Sequence, residues 1–373
     1  MERLRQYDYG ILIAVLALVG VGMVMIYSSS CILAQERFGD SFHFLKRQAL
    51  FAVLGIVLMI AAMNFPYENY RRVAYPLLLV GVLALVAVLI PPFGHRVGGA
   101  NRWLHLGPIT VQPSEGVKLI VVIYLAYSLS RKRERGIVRR LVTGFLPHLL
   151  VAGLVGGLLF KEPDLGSALI VGGLAFIMMF LAGVRLTYLL LTAGAAAPLL
   201  YRHLQGYQWD RIGVFLQYLF APWEAPLKEA YHIKQACYAL ANGGLLGMGL
   251  GMGRQKLFYL PEPHTDFIIA VVGEEWGFLG ILVVCFLFLV ILVGGAKIAM
   301  AVKDQFGSLL AMGIVAMIGL QGSINMAMAM GLLPTKGMAL PFLSYGGSSL
   351  VTNLLAIGLL IQLSGQAQQR EGP

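Results

Sequence analysis

DFIIAVVGEEWGFLGILVVCFLFLVILV, residues 266–293, is an apolar run longer than the roughly 20 residues that carry a helix across the hydrocarbon core of a bilayer. Its only ionisable acids are Asp266, Glu274 and Glu275. Reading outward from it, runs bounded by charge, proline or glycine clusters predict further spans near 9–29, 48–64, 73–92, 114–130, 143–160, 165–184, 186–204, 306–332 and 342–363. Of the 373 residues 58% are hydrophobic and 12% charged, with mean hydropathy +0.77. A soluble globular chain carries roughly 25% charge, so the bilayer must be the solvent for most of this one. The expectation is an all-α polytopic membrane protein of about ten transmembrane helices, forming a single integral domain over 1–373. Collagen, coiled coil and disorder are excluded by the same composition.

The formal net charge of +10 would suggest nucleic acid in a soluble protein. In a polytopic one it reports orientation and contact with anionic lipid headgroups, and no nucleic-acid partner is expected. With the amino terminus inside, the inner segments hold Arg3, Arg5, Arg71, Arg72, the cluster RKRERGIVRR (131–140), Arg185, Lys297, Lys303 and Arg370. The basic excess over the short outer loops places both termini in the cytoplasm. Cys31, Cys237 and Cys285 are scattered and odd in number, which argues against a disulfide framework. Ser28-Ser29-Ser30-Cys31 has a lipoprotein-like look but lacks the aliphatic residue three before the cysteine, so the first run reads as a retained span.

The polar detail falls on the outer side. PPFGHRVGGANRWLHLGPITVQPSEGVK (91–118), KEPDLG (161–166), the long extracytoplasmic connection 205–263 between helices 7 and 8, and GLLPTKGMALPFLSYGGSS (331–349) all lie there by this topology. The long connection interleaves Trp209, Trp223, Tyr231 and Tyr238 with Arg211, Lys228, Lys234 and Lys256, the mixture of segments lying at headgroup level. Anchoring at the interface is the plainer alternative to a functional element.

Several groups there can carry chemistry. In QPSEGVK, Pro113 suits a first helical turn, and Glu115 and Lys118 at i,i+3 share a face as an ion pair at membrane depth. Arg102 and Trp103 offer a phosphate contact and a sugar face. Asp164 follows a proline as an N-cap would, and Asp266 sits at a helix start crowded by Glu262 and His264. Eight residues at about 1.5 Å set Glu274 roughly 12 Å from Asp266 and about 80° around the helix, so both border one cavity without touching. Lys336 lies in a turn, and Ser344 opens a glycine-serine run able to present backbone N–H groups to an anion. No phosphate loop, dinucleotide fingerprint or zinc spacing is present.

GANRWLHLGPITVQPSEGVKL, KEPDLGSAL, YQWDRI, the run GGLLGMGLGMGRQKLFYLPEPHTDFIIAVVGEEWGFLG and LPTKGMALPFLSYGGSSL together resemble the SEDS family of shape, elongation, division and sporulation proteins. The resemblance runs from Asp8 to about Leu363, and its wording is closer to the division branch than to the rod-shape branch. It departs at Gly116 and Trp276. It implies a ten-helix peptidoglycan glycosyltransferase of the bacterial cytoplasmic membrane, polymerising lipid II on the outer face. A class B penicillin-binding protein is the implied partner, within a divisome or elongasome. It implies Asp266 as the catalytic acid, and motif roles for Glu262, Glu115, Lys118, Asp164, Arg211 and Lys336.

That chemistry suits the residues. One base must serve the attacking 4-hydroxyl, and positive charge must meet the leaving pyrophosphate. Mg²⁺ or Mn²⁺ held partly by pyrophosphate oxygens would leave no ligand motif, and no organic cofactor is expected. A lipid II flippase is the rival reading, although alternating access needs a site reached from both faces. A recruiting scaffold would leave Glu115, Lys118, Glu274 and Glu275 unexplained.

Overall fold

The computed structural model describes residues 8–91, 94–97, 100–107, 109–203, 206–220, 231–334 and 337–369. Its helices are α1 (Tyr9–Phe38), α2 (His43–Asn64), α3 (Glu68–Leu89), α4 (Pro113–Glu134), α5 (Leu146–Lys161), α6 (Leu165–Ala182), α7 (Leu186–His203), α8 (Gly206–Phe220), α9 (Tyr231–Gly243), α10 (Ile268–Ala301), α11 (Gln305–Ala329) and α12 (Gly347–Gln369). Each of the ten expected spans falls on one of these, while α8 and α9 lie within the long connection. Among the described residues, eight helices are long and apolar enough to cross a membrane. Of the remaining two matched to expected spans, α4 carries charges at both ends, and α7 offers a shorter apolar stretch, Leu186–Ala196. The chain is a multi-pass membrane protein built almost wholly of helices.

Local sequence explains where these helices begin and end. Asp8 caps α1, its Oδ1 accepting from the N–H groups of Gly10 (2.9 Å) and Ile11 (3.2 Å). Asp304 caps α11 by accepting from Gly307 N at 2.9 Å, and Arg71 of α3 pairs with the same carboxylate. Each cap satisfies amides that a helix start leaves without partners.

α4 is the axis of the bundle. It packs against α3, α6, α11 and α12, and nearly every residue from Pro113 to Ser130 is buried. On one flank α2 lies along α12, closely enough that a Cβ on Gly358 would stand 2.4 Å from the Met59 carbonyl. Small residues at such crossings let helices approach where lipid offers no hydrophobic drive.

Two features depart from the expected pattern. Residues within 91–111, part of the outer polar segment of a chain expected to be all-α, form a small antiparallel sheet of β1 (Gly94–Val97), β2 (Ala100–Leu106) and β3 (Ile109–Val111), in the order β1-β2-β3. Val97 pairs with Ala100 across a Gly-Gly sequence, and Gly107 at φ 67° turns β2 into β3; both are favoured hairpin devices. The second departure is in α10, which breaks at Gly277 (φ 68°, ψ −164°). Ile268 to Glu275 are all buried, whereas large exposed apolar side chains begin at Phe278. Large exposed apolar surface on α10 therefore lies beyond the break, within a helix, Ile268–Ala301, that takes in most of the expected 266–293.

Candidate functional site

The helices α4, α6, α10 and α12 all begin at the same end of the bundle, around one cavity of about 320 Å³. Its wall includes Glu115 and Lys118 from α4, Asp164 and Ser167 from the start of α6, Thr265 and Asp266 ahead of α10, and Ser348 and Ser349 from α12. Arg102 and Trp103 of β2, Glu262, Gln321 of α11, Gly337 to Ala339 and Tyr345 also line it. Four helix N-termini thus bring their positive ends to one space, where an anionic group is favoured. The far end of α4 carries Arg131, Lys132 and Arg133, so the cavity and the basic cluster occupy opposite ends of a helix about 33 Å long.

Asp266 is not the cap of α10. Phe267 occupies that position without a side-chain cap bond, and the first helical amides, Ala270 and Val271, both donate to the Phe267 carbonyl. The carboxyl of Asp266 borders the cavity instead, close to Gly337. Its backbone is braced from two sides. Asn325 Nδ2 donates to the Asp266 carbonyl at 3.0 Å, while Tyr345 N donates to the His264 carbonyl at 2.9 Å.

Lys118 Nζ donates to Glu115 Oε1 at 2.8 Å and to Gln321 Oε1 at 3.4 Å. Both charges are buried, and Glu115 Oε2 has no hydrogen-bond partner in the cavity wall. Arg102 donates to the carbonyls of Glu162 (3.3 Å) and Pro163. Carbonyls satisfy its N–H groups without neutralising its charge, which remains at the cavity rim. Glu262 is largely exposed on the opposite rim.

Three expected substrate contacts have other duties. Asp164 caps α6, accepting from Ser167 N (3.1 Å), Ser167 Oγ (2.8 Å) and, across the helix interface, Ser114 Oγ (3.2 Å). It lines the cavity as a tie between α4 and α6. His264 is not among the described lining residues: its ring packs against Phe44 and Tyr345, and burial pushes its pKa down to about 4, leaving it neutral near pH 7. Ser344 also lies behind the wall, its hydroxyl donating to the Thr265 carbonyl and accepting from Leu340 N. Arg211 falls on α8 with its side chain outside the described residues, and Lys336, Trp223 and Lys228 lie outside the described residues altogether.

Glu274 is likewise absent from the cavity, contrary to the helical projection. The projection places Asp266 on the helix, whereas α10 begins only at Ile268, and Glu274 and Glu275 meet the glycine-rich segment that follows α9. Glu274 accepts from Arg254 N and Gln255 N, and Glu275 from Gly251 N, Ser28 Oγ and Lys256 Nζ. These acids organise a loop.

Sequence reasoning missed Gln48, Gln321 and Asn325. Gln48 Nε2 donates to the Ser344 carbonyl and its Oε1 accepts from Gly346 N, both at 3.2 Å. The available signal was an amide inside an apolar run, at i,i+4 for Gln321 and Asn325 on α11. Among the described residues no three His, Cys, Asp or Glu side chains stand close enough together to cage a metal ion.

The family model for FtsW, RodA and SpoVE cell cycle proteins matches residues 9–369. A probable peptidoglycan glycosyltransferase FtsW from Geobacter metallireducens is 44% identical over 364 residues, covering 98% of this chain and 96% of the relative. Stage V sporulation protein E of Bacillus subtilis is 40% identical over 362 residues, covering 96% of each. The fold is similar to a chain of a peptidoglycan synthase complex that coordinates polymerization and crosslinking, with TM-score 0.79, 30% identity and coverage of 97% and 99%. It is also similar to the rod shape determining protein RodA of Thermus thermophilus, with TM-score 0.71, 29% identity and 98% of each chain covered. With a family match along almost its whole length and relatives at least 40% identical over nearly all of it, the chain belongs to the FtsW, RodA and SpoVE family of cell cycle proteins.

Proposed function

We propose that this chain is a peptidoglycan glycosyltransferase that polymerises lipid II into β-1,4 glycan strands at the outer face of the bacterial cytoplasmic membrane, serving septal synthesis in division. The observation that carries this reading is the cavity itself. It brings Asp266, just ahead of α10, together with Glu115, Asp164 and Glu262, two cations and four helix N-termini, at the end of α4 opposite its basic cluster.

The 4-hydroxyl of one lipid-linked sugar attacks the anomeric carbon of another. Its proton passes to the Asp266 carboxylate as the new C–O bond forms. The bond from the anomeric carbon to the lipid pyrophosphate breaks on the opposite face, giving inversion. The departing pyrophosphate takes the bonding pair and is stabilised by Arg102, Lys118 and the converging helix dipoles. Glu115 pairs with Lys118 and directs it in the buried wall. The unpartnered Glu115 Oε2 is an oxygen donor that would suit a hard cation such as Mg²⁺ or Mn²⁺. Such an ion would add positive charge at the leaving group. The resemblance supports a class B penicillin-binding protein as the cross-linking partner.

The test is glycan formation from purified lipid II by the purified protein, with and without that partner. Folded Asp266→Asn should make no polymer where the native protein does. A native complex that makes none, yet moves lipid II between vesicle leaflets, would replace the enzyme by a flippase.

A further inference from the structure

Asn325 is wholly buried in the last turns of α11, and its single amide nitrogen serves two segments distant in sequence. One hydrogen goes to the Asp266 carbonyl at 3.0 Å and the other to the Met338 carbonyl at 2.6 Å. A carboxamide nitrogen has two N–H donors, so both are used. The Asp266 carbonyl lies outside the ladder of α10, because Ala270 and Val271 both donate to Phe267. The neighbour of Met338, Gly337, comes so near Asp266 that an added Cβ would sit 3.4 Å from Oδ2. The amide therefore grips the backbone of Asp266 and the wall facing its carboxylate at once. One turn earlier on the same face, Gln321 meets Lys118.

We propose that Asn325 is a positioning residue for Asp266, fixing the carboxylate against the 337–339 wall at the height where the attacking hydroxyl must deliver its proton. The role rests on Asp266 being the acting carboxylate. Neither an aspartate nor a leucine can replace the amide. Ionised aspartate would set acceptors against two carbonyls, and leucine would leave both carbonyls buried without donors.

The test compares native protein, Asn325→Leu, Asn325→Asp, Asn325→Gln and Asp266→Asn in lipid II polymerisation with the partner present, on material with native elution and thermal unfolding. Displacing a catalytic group by about 1 Å costs about 100-fold in rate. Asn325→Leu, or Asn325→Asp if leucine does not fold, should lose about that much kcat with KM little changed, and should shift the acid limb of the kcat profile. Asn325→Gln, which keeps the donors, should recover part of the rate and the native limb. A folded Asn325→Leu or Asn325→Asp with native kcat and pH profile overturns the positioning role. A fall in kcat with an unshifted profile and no recovery in Asn325→Gln reduces Asn325 to structural support and overturns it too. Activity in Asp266→Asn instead overturns the assignment of Asp266, and the positioning role with it.

Discussion

Lys256 Nζ and Glu275 Oε1 lie 2.6 Å apart with both side chains almost wholly buried, and Ser28 Oγ of α1 stands 2.8 Å from the same ammonium. The pair ties three parts of the chain together: the first helix, the break in α10, and the segment that ten residues later delivers Asp266. Separating two such charges leaves one of them uncompensated in a low-dielectric interior.

Lys256→Met and Glu275→Gln should therefore each destabilise the protein by about 3–5 kcal/mol, the range for breaking a buried pair from one side. The double replacement Lys256→Met with Glu275→Gln should cost less than the two singles together. Unfolding midpoints in detergent, combined as a double-mutant cycle, measure the coupling. Additive costs would mean the two side chains are independently solvated.

Gly277 forms the break just beyond these acids, where α10 packs on the segment that follows α9. Its φ of 68° with ψ of −164° belongs to a region occupied essentially by glycine alone, and an added Cβ would stand 2.3 Å from Gly247 N. Gly277→Ala should lose more than about 2 kcal/mol through strain and collision together. Gly153→Ala, on α5 with nothing within 4 Å of its added Cβ, should be nearly neutral. Equal midpoints for the two variants would show that the break is not enforced by packing.

The long helices are legible from sequence because bilayer thickness sets a minimum apolar length, and α1, α2 and α11 satisfy it. The break in α10 is not legible. GEEWGFLG reads as helix with two misplaced acids, and their partners, Ser28 and the amides of Gly251, Arg254 and Gln255, come from elsewhere in the chain. The strands between Gly94 and Val111 escape for another reason: runs of four, seven and three residues are too short for alternation to stand out. At the site, proline-acid pairs mark Glu115 and Asp164 as helix starts, but not that these starts converge. His264 and Ser344 lie beside Asp266 and Tyr345 in sequence, yet neither is among the described residues lining the cavity, a distinction that spacing does not encode.

Lys118 separates a structural clamp from a catalytic cation. Lys118→Met alone should abolish most polymerisation, a loss of about 10²–10³ in kcat as for other donors that meet developing charge. Lys118→Met with Glu115→Met removes both charges and should recover unfolding stability without recovering rate. If the pair were only a clamp, initial rates from lipid II would return with stability in the double variant.

Glu162 is buried without a hydrogen-bond partner on either oxygen, at the turn held by Arg102. Burial pushes its carboxyl up to about 8, with Asp164 adding to the shift and Arg102 opposing it. Between its ordinary value near 4.5 and about 8, the native state keeps a proton that the unfolded chain has released. Fewer protons bound in the unfolded state means that stability falls as pH rises through this window and levels off above it. Glu162→Gln removes the proton from the balance, so the variant should gain steadily on the native protein as pH is raised through the window. Unfolding midpoints of the two proteins across that range are the measurement. Parallel curves would mean that the carboxyl is ionised in the fold, with Arg102 turned from the 162–163 carbonyls to meet it.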